Sequence, residues 1–364
     1  MASSVRIGGL PVITLWAPEA TDRGFVSADI LPGRGMTTLQ IRARTPELGE
    51  LDVLASPSAE EAARVLDGGA DDHAGSKSFS LGGALLIPYA NRIRGRLSDD
   101  GREIETQVAG RTVRLPANWG GQRPGAERYA MHGLILDAAV PDYGVERRGD
   151  AEVLTGALDA GDFGGRWPSR CRLEFEIALS ASAFEMRVSA TNIGDEVLPM
   201  GIGWHPWFNL PSGRREQARL TLPANARTLV NDYDAVLPTG EVAPVAGTPH
   251  DFREGRALDD LYLDDCFTDL VREDGELALA FEDPTAGYGL ALTSASPAVK
   301  AVQVYAPLDR PVLVIEPQFN VADPFAAIWR RRKTGMTKLV PGQAARYLVR
   351  LQINTARFTR KSCR

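Results

Sequence analysis

Apolar residues in this chain recur at every second position over long stretches, and that period restricts the backbone more than any other feature. In CRLEFEIALS, Leu173, Phe175, Ile177 and Leu179 share one face. In AFEMRVSATN, Phe184, Met186, Val188 and Ala190 do the same, and RYLVRLQIN near the C-terminus repeats the pattern. Successive side chains of a strand point to opposite faces, so this alternation describes half-buried antiparallel strands. Turn signals separate them at Asp100-Gly101, Ala109-Gly110, Ile193-Gly194 and Asp274-Gly275. The stretch RIRGRLSDDGREIETQVAGRTVRL reads as a three-strand meander turning at SDDG and VAGR.

Helix signals are few. Ser58 and Glu61 form a capping box for SAEEAARVL, which stops at Gly68-Gly69, and a short helical turn is expected after Pro324. Residues 67–80, DGGADDHAGSKSFS, read as an exposed loop, and residues 211–260 as a region with long loops. There is no fixed-period repeat and no compositional break. The expectation is an all-β chain: one large antiparallel β-sandwich with little helix, a single domain over residues 1–364. Apolar residues at 44% can supply the core such a sandwich needs.

Charge narrows the partners. The 41 basic and 47 acidic residues leave a formal charge of -6, which argues against nucleic acid or an anionic membrane and is compatible with a small neutral ligand. Cys171, Cys266 and Cys363 have neither zinc-site nor redox-pair spacing, and a sparse, odd count points to a reducing compartment. The N-terminus lacks the pattern of a signal peptide, and runs such as PVLVI fall far short of the ~20 residues that span a bilayer. A cytoplasmic location is expected. No G-x-S-x-G elbow, H-E-x-x-H pair, P-loop or dinucleotide fingerprint occurs.

Of the four histidines, His73 lies among Gly, Asp and Ser and reads as exposed, and His250 reads as a loop residue. His132 and His205 sit in apolar, turn-bearing settings, YAMHGLIL and GIGWHPWFNL. Trp204, Trp207 and Phe208 crowd His205, and aromatic rings beside a polar group suit a sugar, whose apolar ring face packs on them. A core histidine bonded to backbone is the competing reading. Glu316 ends the apolar run PVLVI; it is either a carboxylate kept buried for a purpose or a strand-end residue escaping to solvent. Asn91 and Arg92 follow another apolar run, in IPYANRIRGR, where Arg94 and Arg96 read as solvated. The carboxylates of DDLYLDDCFTD lack calcium-loop spacing.

Taken in order, these segments resemble the aldose 1-epimerase (galactose mutarotase) family, from GFVSADILPGRGMTTLQIR to PGQAARYLVRLQI. GWHPWFNL and EPQFNVADPF carry most of the likeness. The resemblance implies a galactose mutarotase-like supersandwich that interconverts the α and β anomers of a free aldose without metal or other cofactor. It places Asn91 and Arg92 at substrate-hydroxyl contacts, His132 at the first active-site histidine, His205 at the catalytic acid and Glu316 at the catalytic base. It places Asp264 at the sugar-binding aspartate, with Asp265 as rival if the register slips by one, and Gln303 at the site wall. HGLILD and GIGWHPW depart from the commoner glycine-rich and Thr-Asn-His runs, which bears on the preferred sugar. Two alternatives stand beside a galactose or glucose mutarotase. One is a mutarotase of a phosphorylated hexose, with Arg92, Arg94, Arg96 and Arg128 as candidates for the phosphate; the other is a non-catalytic carbohydrate-binding protein.

Overall fold

The computed structural model describes residues 2–19 and 21–354. Cys363 lies outside the described residues; Cys171 and Cys266 are free and buried. The alternating segments are strands of two large antiparallel sheets. Among the described residues the first has twelve strands. From one edge it runs Ala2–Ile7, Leu10–Trp16, Gly24–Leu31, Thr37–Thr45, Gly83–Leu86, Gly203–Asn209, Val312–Gln318, Ala301–Ala306, Leu263–Leu270, Ala224–Val230 and Pro238–Pro244, with Gly49–Asp52 paired to Thr37–Thr45. The second has nine, in the order Asp142–Arg148, Ala151–Gly161, Cys171–Leu179, Phe184–Asn192, Ala344–Ile353, Tyr288–Ser294, Leu277–Asp283, Arg219–Thr221 and Arg256–Ala257.

The inward faces of both sheets close on one core. In Cys171–Leu179 the odd-numbered residues are buried, while Arg172 and Glu174 face solvent, as the period-two pattern requires. Phe184 of the second sheet stacks on Trp204 of the first at 5.8 Å, and Phe281 meets Phe208 at 5.2 Å. The Tyr347 hydroxyl donates across the sandwich to the Pro317 carbonyl at 2.8 Å. The meander forms a small sheet of its own from Arg96–Leu97, Glu103–Val108 and Arg111–Pro116. The capped helix spans Ala59–Val65, with the reciprocal Ser58–Glu61 bonds in place, and a 3-10 turn follows Pro324 at Ala327–Trp329. No helix among the described residues is long and apolar enough to cross a membrane.

The expected exposed loop at 67–80 is a correction. Residues His73–Ser80 form 3-10 turns, and Ser76, Ser78 and Phe79 are buried. Asp72 causes this: its buried carboxylate accepts from Arg34 at 2.8 Å, and Arg34 also donates to Ser78 Oγ at 3.0 Å. A composition of Gly, Asp and Ser suggests solvent, but a buried carboxylate with a guanidinium partner overrides it. His73 is accordingly half-buried, with Nε2 at 2.8 Å from the Arg102 carbonyl.

Candidate active site

The two strongest candidates lie side by side because of strand register. The antiparallel ladder pairs Gly203 with Gln318 and Trp207 with Val314, which sets His205 across from Glu316. Pairing then continues from Glu316 to Gln303 on the next strand. His205 Nε2 is 3.5 Å from Glu316 Oε1, and both residues are buried, at 6% and 1% exposure.

His132 arrives from elsewhere. The short strand Arg92–Ile93 pairs with Arg128–Met131, so Asn91 and His132 face each other just beyond that pairing. Both have left-handed backbone, φ 64° and 63°, a strained conformation for residues other than glycine. They are locked together: His132 N–H donates to the Asn91 carbonyl at 3.0 Å, and Asn91 N–H donates to His132 Nδ1 at 3.2 Å. A neutral imidazole accepting at Nδ1 carries its proton on Nε2. His132 thus turns an N–H toward the cavity, 5.0 Å ring to ring from His205.

Arg92 is braced on three sides. It donates to Asp264 Oδ2 at 3.1 Å, Asn91 Oδ1 at 3.0 Å and the Tyr129 hydroxyl at 3.4 Å. Gln303 donates to Asp264 Oδ1 at 2.5 Å and accepts from Asn91 Nδ2 at 2.9 Å. Asp264 therefore faces the site. Asp265, one residue on, turns the other way to Arg227, Tyr233 and His250, as strand alternation demands. Asn91 does not line the cavity; it supports Arg92 and Gln303 from behind.

The cavity these residues enclose has a volume of about 430 Å3. Arg92, His132, His205, Asp264, Gln303 and Glu316 line its polar side. The aromatic lining includes residues absent from the sequence expectation: Phe79, Trp119, Tyr233, Tyr262 and Tyr305. Tyr262 and Tyr305 were accessible by alternation, since each lies two residues from Asp264 or Gln303 on the same face. Phe79 was hidden in the misread loop; its ring meets His132 at 4.8 Å and its carbonyl accepts from Trp207 Nε1 at 2.8 Å. A larger cleft of about 780 Å3 lies over the outer face of the nine-stranded sheet, but it contains no histidine, and its Glu176 is tied to Arg148 and Arg187.

Burial dominates the electrostatics. It pushes His205 down to about 4 and His132 well below the ordinary imidazole range. It pushes the Glu316 carboxyl well above the carboxylate range; the Asp264 charge adds to that and Arg92 opposes it. Three atoms facing this chemistry lack a hydrogen-bond partner: His132 Nε2, His205 Nδ1 and Glu316 Oε2. Unsatisfied buried polar atoms are costly and mark a place where a polar ligand belongs. The two histidines and Glu316 could bring ligand atoms within 4.8 Å of one another around a metal ion. The His132 tautomer is wrong for that: a bare Nε2 would put the proton on Nδ1, against the Asn91 N–H. The donor set suits an oxygen-rich organic ligand instead.

The fold is shared with solved structures of low identity. A galactose mutarotase-like protein from Clostridium acetobutylicum superposes with a TM-score of 0.70 at 19% identity, covering 91% of this chain and 93% of that one. Galactose 1-epimerase from Lactobacillus acidophilus gives 0.68 at 17% identity, covering 97% of each chain. The GalM/aldose epimerase homologue from C. elegans gives 0.66 at 17%, covering 94% and 98%. Among curated protein sequences none matches the chain. The family model of aldose 1-epimerases matches residues 49–349, a span that holds every residue of the cavity described above, and the chain belongs to that family.

Proposed function

We propose that the protein is a mutarotase of free aldoses such as galactose or glucose, with Glu316 as base and His205 as acid. The observation that carries this is the side-by-side pair itself, 3.5 Å apart at the buried end of a cavity. Mutarotation acts on two oxygens bonded to one carbon, the C1 hydroxyl and the ring oxygen, so its acid and base must be neighbours.

The pair works with a single proton. In one state Glu316 is ionised and His205 protonated; in the other Glu316 holds the proton and His205 is neutral. Burial favours the neutral state. Hydroxyls of a bound sugar supply hydrogen bonds that the ionised state needs. Glu316 then takes the C1 proton as His205 protonates the ring oxygen, and the ring opens to the aldehyde. Rotation about C1–C2 and closure on the other carbonyl face reverse both transfers. The ordinary imidazole value near 6.5 is therefore not what makes His205 suitable; its partner is. His132 Nε2–H and Arg92 donate to sugar oxygens, and Asp264 and Gln303 hold hydroxyls and Arg92. No step requires a metal or nucleotide, and exhaustive chelation should leave the rate unchanged.

A phosphorylated hexose would need free cations in the cavity. Arg94 and Arg96 are paired with Glu127 and Glu105, and Arg128 donates to the Ala117 carbonyl. Arg310 lines the cavity, over the Trp207 ring at 4.6 Å, and is the cation a phosphate would meet there; Arg92 is already paired with Asp264, and the neutral aldose is kept as the proposed substrate. The test is anomerisation followed by polarimetry or NMR across aldoses and their 6-phosphates. Glu316→Gln and His205→Asn should each lower kcat by at least ~10²-fold with modest change in KM, the double variant falling far less than the product of the two. Arg92→Ala should instead raise KM. Near-normal turnover by Glu316→Gln on every accepted sugar would remove Glu316 as the base.

A further inference from the structure

The backbone that carries Arg92 into the cavity is held by side chains where a sheet would use a strand. After Gly83–Leu86 the chain leaves the twelve-stranded sheet through Pro88, which has no N–H to give. Arg92 then lies in a strand of two residues, paired along one edge with Ala130 and Met131. So short a pairing fixes little by itself. The backbone groups of Ala90, Arg92 and Arg94 are offered to the opposite edge, and what meets them there is the chain that continues from the Glu316 strand.

That chain is buried throughout residues 312–324. Asn320 Oδ1 accepts from Ala90 N–H at 3.2 Å, and Asn320 Nδ2 donates to the Ala90 carbonyl at 2.8 Å, so one amide side chain supplies both bonds of a neighbouring strand. Three residues on, Asp323 N–H donates to the Arg92 carbonyl at 2.6 Å, and Asp323 Oδ1 accepts from Arg94 N–H at 3.2 Å. Asn320 is explained by burial alone, because Ala90 is fully buried and its backbone groups need partners. Asp323 is not. Arg94 is exposed, and water can serve its N–H. Yet the carboxylate that serves it is buried, on left-handed backbone at φ 49°, a desolvated and strained place for such a group. What its two bonds fix is the backbone from which the Arg92 guanidinium reaches Asp264.

We propose that Asp323 is a positioning residue for Arg92: it ties the Arg92 backbone to the buried chain 316–323, so that the guanidinium that holds the sugar and the base that deprotonates it are set against each other. This rests on the mutarotase reading. Asp264, Asn91 and Tyr129 brace the Arg92 side chain, but none of them relates it to Glu316 through a continuous stretch of backbone. Asp323 does. A small displacement of Arg92 weakens its contacts to sugar hydroxyls in ground state and transition state alike, so the effect belongs in KM and not in kcat.

The experiment uses two substitutions. Asp323→Gly keeps the left-handed backbone, which glycine takes freely, and removes only the carboxylate. Asp323→Asn keeps the acceptor. KM and kcat for anomerisation of an aldose that the parent protein accepts are measured by polarimetry for both, for Arg92→Ala, and for Arg92→Ala combined with Asp323→Gly. Asp323→Gly should raise KM about fivefold, as the loss of roughly one hydrogen bond would, with kcat changed by less than about twofold. Asp323→Asn should stay within about twofold of the parent in KM. The double variant should show the KM of Arg92→Ala alone, because Asp323 then has nothing left to position. KM does not depend on the fraction of protein that is folded, so a variant of low yield still reports. A KM unmoved by Asp323→Gly, or effects on KM that multiply in the double variant, overturn the positioning role and leave the mutarotase reading intact. An Asp323→Gly protein that does not fold does the same, since the carboxylate then serves the fold and not Arg92. Failure of the parent to speed any aldose beyond its spontaneous rate overturns the mutarotase reading, and the positioning role with it.

Discussion

Glu316 and His205 are both held toward their neutral forms by the same burial, and this has separate consequences for rate and for stability. In the proposed mechanism the pair turns over with one proton between its two members. Below the His205 value, pushed down to about 4, the pair holds two protons and has no base. Above the raised Glu316 value it holds none and has no acid. The profile of kcat/KM against pH should be a broad bell whose acid limb lies near 4, well under the ordinary imidazole value. An acid limb at about 6.5 would sink the assignment of His205 as the buried partner. For stability, a carboxyl whose folded value is raised contributes fully below its unfolded value near 4.5 and loses that contribution as pH rises toward the folded value. The slope in that window is about 1.4 kcal/mol per pH unit. Glu316→Gln removes the titration, so its melting temperature should exceed the parent's by a margin that widens from pH 5 to pH 8. A margin that does not change with pH over thermal melts at several pH values would show that Glu316 ionises freely in the fold.

Between strands, the site depends on places where the chain must take conformations that a side chain resists. Gly133 follows His132 with φ 90°, and a Cβ there would lie 2.2 Å from the Ile87 carbonyl oxygen. That same carbonyl accepts from Leu134 N–H at 2.6 Å, so it cannot retreat without loss of the bond that positions the His132 segment. Gly133→Ala should cost at least about 2 kcal/mol in urea unfolding and displace His132. Gly125→Ala is the matched control: φ is 76°, but nothing lies within 4 Å of a Cβ, so only the backbone strain of about 1 kcal/mol applies. Equal costs for the two would mean that the Ile87 contact does not matter. The same distinction separates what the sequence shows from what it hides. Strands such as Cys171–Leu179 were legible because their pattern is local, and so was the Ser58 capping box. His205 and Glu316 were singled out by apolar context and motif order, and Asp264 by motif order alone, since its run of carboxylates reads as surface charge. Phe79 was not, because its place depends on the Arg34–Asp72 pair, whose members lie 38 residues apart. Nor could Asn91 be told from a lining residue, since its role behind Arg92 and Gln303 is set by the left-handed backbone opposite His132.

Over the whole molecule, chain order and spatial order are interleaved to a degree that bears on how it can unfold. The strand Ala344–Ile353, close to the end of the described residues, sits inside the nine-stranded sheet between Phe184–Asn192 and Tyr288–Ser294. In the twelve-stranded sheet, Gly203–Asn209 lies between Gly83–Leu86 and Val312–Gln318, so the pair His205 and Glu316 joins segments more than a hundred residues apart. No single cut in the sequence leaves two pieces that each keep a complete sheet. The core is correspondingly continuous across both sheets, from Leu15 and Phe25 to Tyr347 and Leu351. Loss of one sheet would expose the other, so neither half has a folded state to fall back on. The chain should therefore unfold in one cooperative transition, with calorimetric and van't Hoff enthalpies in agreement and with tryptophan fluorescence, far-UV signal and anomerase activity lost together. A saturating sugar binds only the folded cavity. At a hundredfold excess over its dissociation constant it adds about 2.7 kcal/mol, and it should move that single transition upward as a whole by several degrees. Two resolved transitions, with the ligand shifting only one, would show instead that the molecule is built from two independently stable units and that the site belongs to one of them.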